Sequence, residues 1–149
     1  MYEVPKIPVK IEITLTNDET IPGMLFVTQD VISPAGNPLI EDLFNNEEDN
    51  FVSFQSDAGA FRLINKEHIL FLETNQTDEE IKSQTPHEPK SLIIHFANDH
   101  TLFGMMYPTQ VEELRVSDLL NQKGDFLTLY RQGRKFVVNR RLIIYVNAN

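Results

Sequence analysis

The segment "LTNDETIPGM" covers residues 15–24, and "FANDHTLFGM" covers residues 96–105, 81 positions later. Both contain, in the same order, an apolar residue, Asn-Asp, a polar residue, Thr, an apolar residue and Gly-Met. Ahead of each turn, at 11–15 and at 92–96, apolar and polar residues alternate, which indicates a half-buried strand. Asn-Asp pairs tolerate the left-handed backbone of a tight turn. Each segment therefore predicts a β-hairpin. The turn and glycine positions of the two hairpins are Asn17, Asp18, Gly23, Asn98, Asp99 and Gly104.

Three further blocks of sequence recur in the same order after the hairpins. They pair residues 40–46 with 116–122, 51–56 with 126–131, and 61–73 with 135–147. The offset falls from 81 to 76, 75 and 74, and insertions or deletions in loops account for such a change. Four matching blocks in one order predict an internal duplication.

A short helix is predicted between the second and third strands of each repeat. Asn37 precedes Pro38, as expected for a helix N-cap followed by proline at the first helical position. Ser117 is the candidate cap in the second repeat. We expect these helices to cover one end of each five-stranded unit.

The domain organisation follows from the repeat. Residues 1–75 form the first predicted repeat and residues 91–149 the second. Residues 76–90 are polar, contain two prolines and predict a linker. Five short antiparallel strands cannot bury both faces of a flat sheet, so each repeat should curl into a small, strongly bent barrel. The sequence thus predicts a mainly β protein.

Two motifs resemble the Sm-like family. Residues 15–25 and their equivalents at 96–106 resemble its first motif, and residues 136–146 resemble its second motif, a strand, a sharp corner and a final strand. The resemblance implies two tandem five-stranded bent antiparallel Sm-like barrels, each with a short helix inserted between strands 2 and 3. It also implies self-association, because Sm-like proteins form rings by pairing the fourth strand of one barrel with the fifth strand of the next.

The RNA-reading residues of that family do not carry over directly. Where the family has an Asp after the first motif, this sequence has Gln29 and Gln110. The family's Arg-Gly corner is replaced by Asn65-Lys66 in the first repeat and by Asn139-Arg140 in the second.

Bulk composition excludes several classes of protein. A net charge of −9 argues against charge-driven binding to nucleic acid and against a polybasic membrane contact. Cysteine is absent, which excludes disulfides and thiolate sites. No stretch approaches the roughly 20 apolar residues of a membrane span. We expect a cytoplasmic protein without a membrane contact.

No residue pattern predicts an active site, a metal site or a cofactor. The four histidines lack metal-ligand spacing: His68, His87, His95 and His100. The carboxylates at Glu47, Glu48 and Asp49 lack the alternation and central Gly of a calcium loop. The sequence therefore predicts a non-enzymatic protein.

The two predicted repeats differ in charge. Residues 1–75 hold 4 basic and 13 acidic residues, whereas residues 91–149 hold 7 basic and 5 acidic residues. Drift and solubility explain such a difference, and so does head-to-tail association of acidic and basic repeats. The sequence favours an interaction module that binds itself as a homo-oligomer, ring-like where the rotation closes, or binds another protein.

RNA binding is the alternative function. It would use the basic corner of the second repeat, Arg140 and Arg141, which the resemblance places where the family's RNA passes, with Tyr130 as a base-stacking or packing residue. The candidate RNA or partner contacts are Arg131, Arg134, Lys135, Arg140 and Arg141.

Overall fold

The computed structural model describes residues 6–46, 48–108 and 115–148. Within these ranges the chain is mainly β, with ten antiparallel strands in one sheet and three short helices. The strands are β1 (Lys6–Leu15), β2 (Thr20–Thr28), β3 (Phe51–Ser56), β4 (Phe61–Asn65), β5 (Ile69–Asn75), β6 (Lys90–Phe96), β7 (Thr101–Met106), β8 (Phe126–Arg131), β9 (Arg134–Asn139) and β10 (Ile143–Ala148). The helices are α1 (Ile40–Phe44), α2 (Glu79–Gln84) and α3 (Val116–Leu120).

The strand order is β10-β6-β7-β8-β9-β5-β1-β2-β3-β4. The first half, β1 to β5 with α1, has the order β5-β1-β2-β3-β4, and the second half, β6 to β10 with α3, has the order β10-β6-β7-β8-β9. The two halves are joined by antiparallel pairing of β5 with β9. Among the described residues, β4 and β10 each pair on one side only, and we call them the free edges.

The strand registers of the two halves coincide at equivalent positions. Lys10 pairs with Met24 as Ser91 pairs with Met105. The fifth strands share an irregularity, since the register skips one residue between Ile69 and Phe71 and again between Ile143 and Tyr145. The skipped residues are Leu70 and Ile144, which occupy equivalent positions in the sequence blocks. Both halves therefore bend at the same place.

The glycines of the two hairpin motifs allow close approach of neighbouring strands. A Cβ on Gly23 would overlap the backbone O of Gln55, and a Cβ on Gly104 would lie 2.9 Å from the backbone O of Tyr130. The turns contain the left-handed residues that the Asn-Asp pairs predicted: φ is 71° at Asp18, and 62° and 61° at Asn98 and Asp99.

Several details of the predicted architecture differ in the structure. The strands of both halves belong to one open sheet, whereas the sequence predicted two barrels. The predicted linker contains α2, and β6 begins at its last residue, Lys90. Helix α1 begins at Ile40 with Leu39 as its N-cap, so neither Asn37 nor Pro38 has its predicted role. Ser117 lies inside α3, which is capped by Arg115 and Asp118.

Two hydrophobic clusters form the core, and each takes residues from the other half. The first cluster, around Ile13, Leu25 and Phe54, includes Phe126 and Val137 of the second half. The second cluster, around Ile94 and Leu129, includes Leu70 of the first half. The halves consequently share their cores across the β5–β9 pairing. None of the helices in the described ranges has the length and apolar character needed to cross a membrane.

Candidate functional site

The joint between the halves consists of β5 and β9 and the side chains that cross between them. Leu72 pairs with Val137 and Thr74 pairs with Lys135 in its register. Leu70 is 2% exposed in the second-half core, and Val137 is 0% exposed in the first-half core. Each half therefore places an apolar side chain from its end strand into the core of its neighbour.

An amide clamp also holds the two halves together. Asn45, the residue after α1, donates from Nδ2 to the backbone O of Phe126 at 3.1 Å. Its Oδ1 accepts from the backbone N of Phe126 at 2.8 Å. The Phe126 ring lies 5.2 Å from that of Phe44. One side chain thus pairs with both the backbone donor and the backbone acceptor of the first residue of β8.

Two ion pairs and one His–Asp contact connect the two halves, and the Lys, Arg or His of each lies in the second half. Lys135 Nζ lies 2.6 Å from Glu41 Oε1. An Arg134 nitrogen lies 3.4 Å from Glu73 Oε1, and His100 Nε2 lies 2.7 Å from Asp18 Oδ1. The opposite charge balance of the halves is therefore used inside one chain.

The free edges expose apolar residues at the positions equivalent to those buried in the joint. Leu63 on β4 is 63% exposed and is equivalent to Val137. Ile144 on β10 is also 63% exposed and is equivalent to Leu70. The same relation connects exposed Phe51 with buried Phe126, and exposed Tyr145 with Phe71, which is partly buried.

A cleft of about 390 Å³ lies where the joint meets the two corners at Asn65 and Asn139. Both corners are fixed locally, because Asn65 Oδ1 accepts from the N of Glu67 and Asn139 Oδ1 accepts from the N of Arg141. The cleft is lined by Phe44, Asn45, Asn46, Asp49, Asn50, Lys66, Glu67, Asp125, Phe126, Asn139 and Arg141. This mixture of amides, carboxylates and two cations suits a polar ligand with both donors and acceptors.

Lys66, at the first corner, has a structural role. Its Nζ donates to the backbone O of Leu43 at 3.1 Å and to that of Asn46 at 3.0 Å. Burial lowers the pKa of Lys66, and the nearby Asp49 carboxylate opposes this shift. Arg140, its equivalent, likewise donates to the backbone O of Leu120 and of Gln122.

The five basic residues predicted as contacts are divided among four places. Arg134 and Lys135 belong to the joint, and Arg140 donates to backbone carbonyl groups at the C-terminal end of α3. Arg141 is exposed beside the cleft, with Nε 3.0 Å from Asp125 Oδ1. Arg131 lies over the rings of Phe103 and Phe136, at 4.5 Å and 5.1 Å from their centroids. The structure therefore does not gather them into one basic surface.

Helix α2 connects both halves through its first turn. Glu80 Oε2 accepts from the Ser33 hydroxyl at 2.9 Å, and Asn37 also donates to this carboxylate. Asp78 accepts a hydrogen bond from the Tyr107 hydroxyl. The Ser33 bond lowers the pKa of Glu80, and the Tyr107 bond lowers the pKa of Asp78. The predicted linker is thus tied to the fold by two carboxylates.

A second cavity, of about 420 Å³, lies beside β7 and β8. Phe103, Tyr130 and Arg131 are among its lining residues. Tyr130 is buried against Tyr107, and burial raises the pKa of its hydroxyl. Tyr130, which the sequence offered as a base-stacking or packing residue, therefore packs inside the protein.

Of the four candidate histidines, His68 is exposed and the other three are half-buried. His95 stacks on Tyr145 with ring centroids 4.2 Å apart at the β10 edge. The described residues contain no group of three or more His, Cys, Asp or Glu side chains placed to hold a metal ion. Glu47 and Gln110 lie outside the described residues.

Sequence reasoning missed Asn45, Leu63 and Ile144. For Leu63 and Ile144 a signal was present, because an apolar residue stands at the same place in both predicted repeats. No protein-family model, curated protein or solved structure matches the chain.

Proposed function

We propose that this chain is a duplicated, Sm-like assembly module that self-associates head to tail. In this arrangement β10 of one copy pairs with β4 of the next, as β5 pairs with β9 inside the chain. Each half acts as one five-stranded, strongly bent unit, so a chain contributes two consecutive units to the assembly. Its role is to build a scaffold and not to catalyse a reaction.

The observation that carries the proposal is the match between the joint and the free edges. Leu63 and Ile144 are exposed at the positions where Val137 and Leu70 are buried. Unpaired strand edges with apolar side chains are sites of strand addition. Burying both side chains is worth about 1.5–3 kcal/mol each, before the cost of association.

The charge difference between the repeats suggested that copies attract each other electrostatically. In the arrangement proposed here, copies associate through apolar contacts instead. The joint pairs Lys135 with Glu41, whereas their equivalents at the free edges are Phe61 and Ser117. Phe61 is exposed on β4. Association between copies should therefore persist at high salt, because salt screens charges and not apolar burial.

Two single substitutions test the direction of assembly. Leu63→Arg blocks the β4 edge and Ile144→Arg blocks the β10 edge, and each variant alone should be a monomer by size exclusion with light scattering. An equal mixture should form a 1:1 dimer, because each variant keeps one working edge. The control Phe103→Arg changes an exposed apolar residue away from both edges and should assemble as wild type. A wild-type protein that stays monomeric at every concentration would exclude the proposal.

The cleft favours a second function, binding of single-stranded RNA. Arg141 is 69% exposed at its rim, and the amide side chains of Asn46 and Asn50 line the cleft, which together offer a cation and hydrogen-bonding groups to a nucleotide. Asp49, Glu67 and Asp125 oppose phosphate binding there. Labelled uridine-rich and adenine-rich RNA should bind in a salt-dependent way that Arg141→Ala weakens. Anisotropy that does not change in low salt would exclude this function.

A further inference from the structure

The amide clamp of the joint has an unused equivalent at the free edges. Asn45 follows α1, and its equivalent Asn121 follows α3. Phe126 begins β8, and its equivalent Phe51 begins β3, beside the free β4 edge. Asn121 is exposed, with Nδ2 bonded to the backbone O of Ser117 at 2.7 Å in its own helix.

The clamp connects the correct partners for head-to-tail assembly. In the joint, the half that supplies the fifth strand also supplies the Asn, and the half that supplies the fourth strand supplies the Phe. The same rule assigns Asn121 to the copy whose β10 is engaged and Phe51 to the copy whose β4 is engaged.

We infer that Asn121 of one copy clamps the backbone N–H and C=O of Phe51 in the next copy, and so determines the register and direction of assembly. This inference rests on the proposed head-to-tail association. The expected register places Val146 opposite Leu63 and Ala148 opposite Phe61, by equivalence with the β5–β9 pairs. An amide is required because the clamp needs a donor and an acceptor, whereas a carboxylate supplies acceptors only.

One local difference should make the clamp of Asn121 on Phe51 between copies weaker than the clamp of Asn45 on Phe126 within the chain. Gly124 lies against Asn45, where a Cβ would come within 2.8 Å of Oδ1. The equivalent of Gly124 is Asp49, so in the assembly Asp49 of the next copy would add a side chain and a negative charge beside Asn121. The clamp between copies should therefore form reversibly, whereas the clamp within each copy stays formed.

The test compares assembly of Asn121→Ala, Asn121→Asp and Asp49→Gly by sedimentation velocity. The Ala and Asp variants should each weaken association about tenfold or more, the expected loss of two hydrogen bonds. Asp49→Gly should strengthen it. Lys123→Ala, an exposed change two residues away, should match wild type. Thermal melts of the separated monomers confirm that each variant is folded.

The outcomes separate the clamp from the proposed function. If wild type assembles and Asn121→Ala assembles equally well, the clamp is wrong and head-to-tail association stands. If wild type never assembles, the proposed function itself fails. Hydrogen exchange gives a direct readout, because the Phe51 amide should become protected on assembly of wild type and not of Asn121→Ala.

Discussion

Lys135 shows how a charged residue can belong to a core. It is 0% exposed, and its Nζ lies 2.6 Å from Glu41 Oε1 across the joint. Its two neighbours on β9, Arg134 and Phe136, lie in surroundings different from those of Lys135. Arg134, for example, remains partly exposed beside Glu73. A buried ion pair contributes little net stability, but loss of one member leaves an uncompensated charge.

We expect Lys135→Ala to lower the free energy of unfolding by about 3 kcal/mol, because Glu41 would lose its partner inside the joint. Arg134→Ala removes the neighbouring ion pair, which is more exposed, and should lower the free energy of unfolding by at most about 1 kcal/mol. Urea unfolding followed by circular dichroism measures both. Equal effects of the two substitutions would show that burial does not distinguish the pairs.

The strand elements were predictable from the sequence to different extents. Local signals gave the hairpins at Asp18 and Asn98 and the corners at Asn65 and Asn139, because turn chemistry and strand alternation act over a few residues. The resemblance implied pairing of a fourth strand with a fifth between separate barrels, but the sequence did not indicate that β5 and β9 make such a pair within one chain, since any apolar strand edge can accept another. Helix α2 was missed because its stability comes from contacts with distant hydroxyl groups, and its own sequence lacks an apolar face.

Helix α2 should respond to acid, since Asp78 and Glu80 both have pKa values below their ordinary values of 3.8 and 4.5. A depressed folded pKa stabilises the fold above the unfolded pKa, and this contribution is lost as the pH falls through the folded pKa. The attachment of α2 should therefore loosen below about pH 4 and stay intact at neutral pH.

Tyr107→Phe tests this attachment. The Asp78 carboxyl loses its main hydrogen bond, so its pKa should rise toward 3.8, and α2 amides should exchange faster at all pH values. Carbon-detected NMR titration and hydrogen exchange from about pH 6 to about pH 3 report the two effects. Tyr145→Phe, which alters an exposed tyrosine on β10, should change neither. An unchanged Asp78 pKa in Tyr107→Phe would contradict the bond.

At the scale of the whole molecule, the shared cores predict that the two halves unfold as one unit. Leu70 belongs to the first half but packs in the second cluster, and Val137 does the reverse. Loss of either side chain should therefore weaken both clusters at once. The equivalent residues at the free edges, Ile144 and Leu63, lack such neighbours in the isolated chain and remain exposed.

The matched pair Leu70→Ala and Ile144→Ala measures this difference at concentrations low enough to keep the protein monomeric. Leu70→Ala should lower the free energy of unfolding by about 2–5 kcal/mol, the range for a large apolar side chain removed from a core. Ile144→Ala should stay within about 0.5 kcal/mol of wild type. Tyrosine fluorescence, which reports on Tyr107, Tyr130 and Tyr145 of the second half, and amide NMR signals from both halves should change in one transition. Two separate transitions in Leu70→Ala, with the first half still folded, would mean that the joint connects two independent domains.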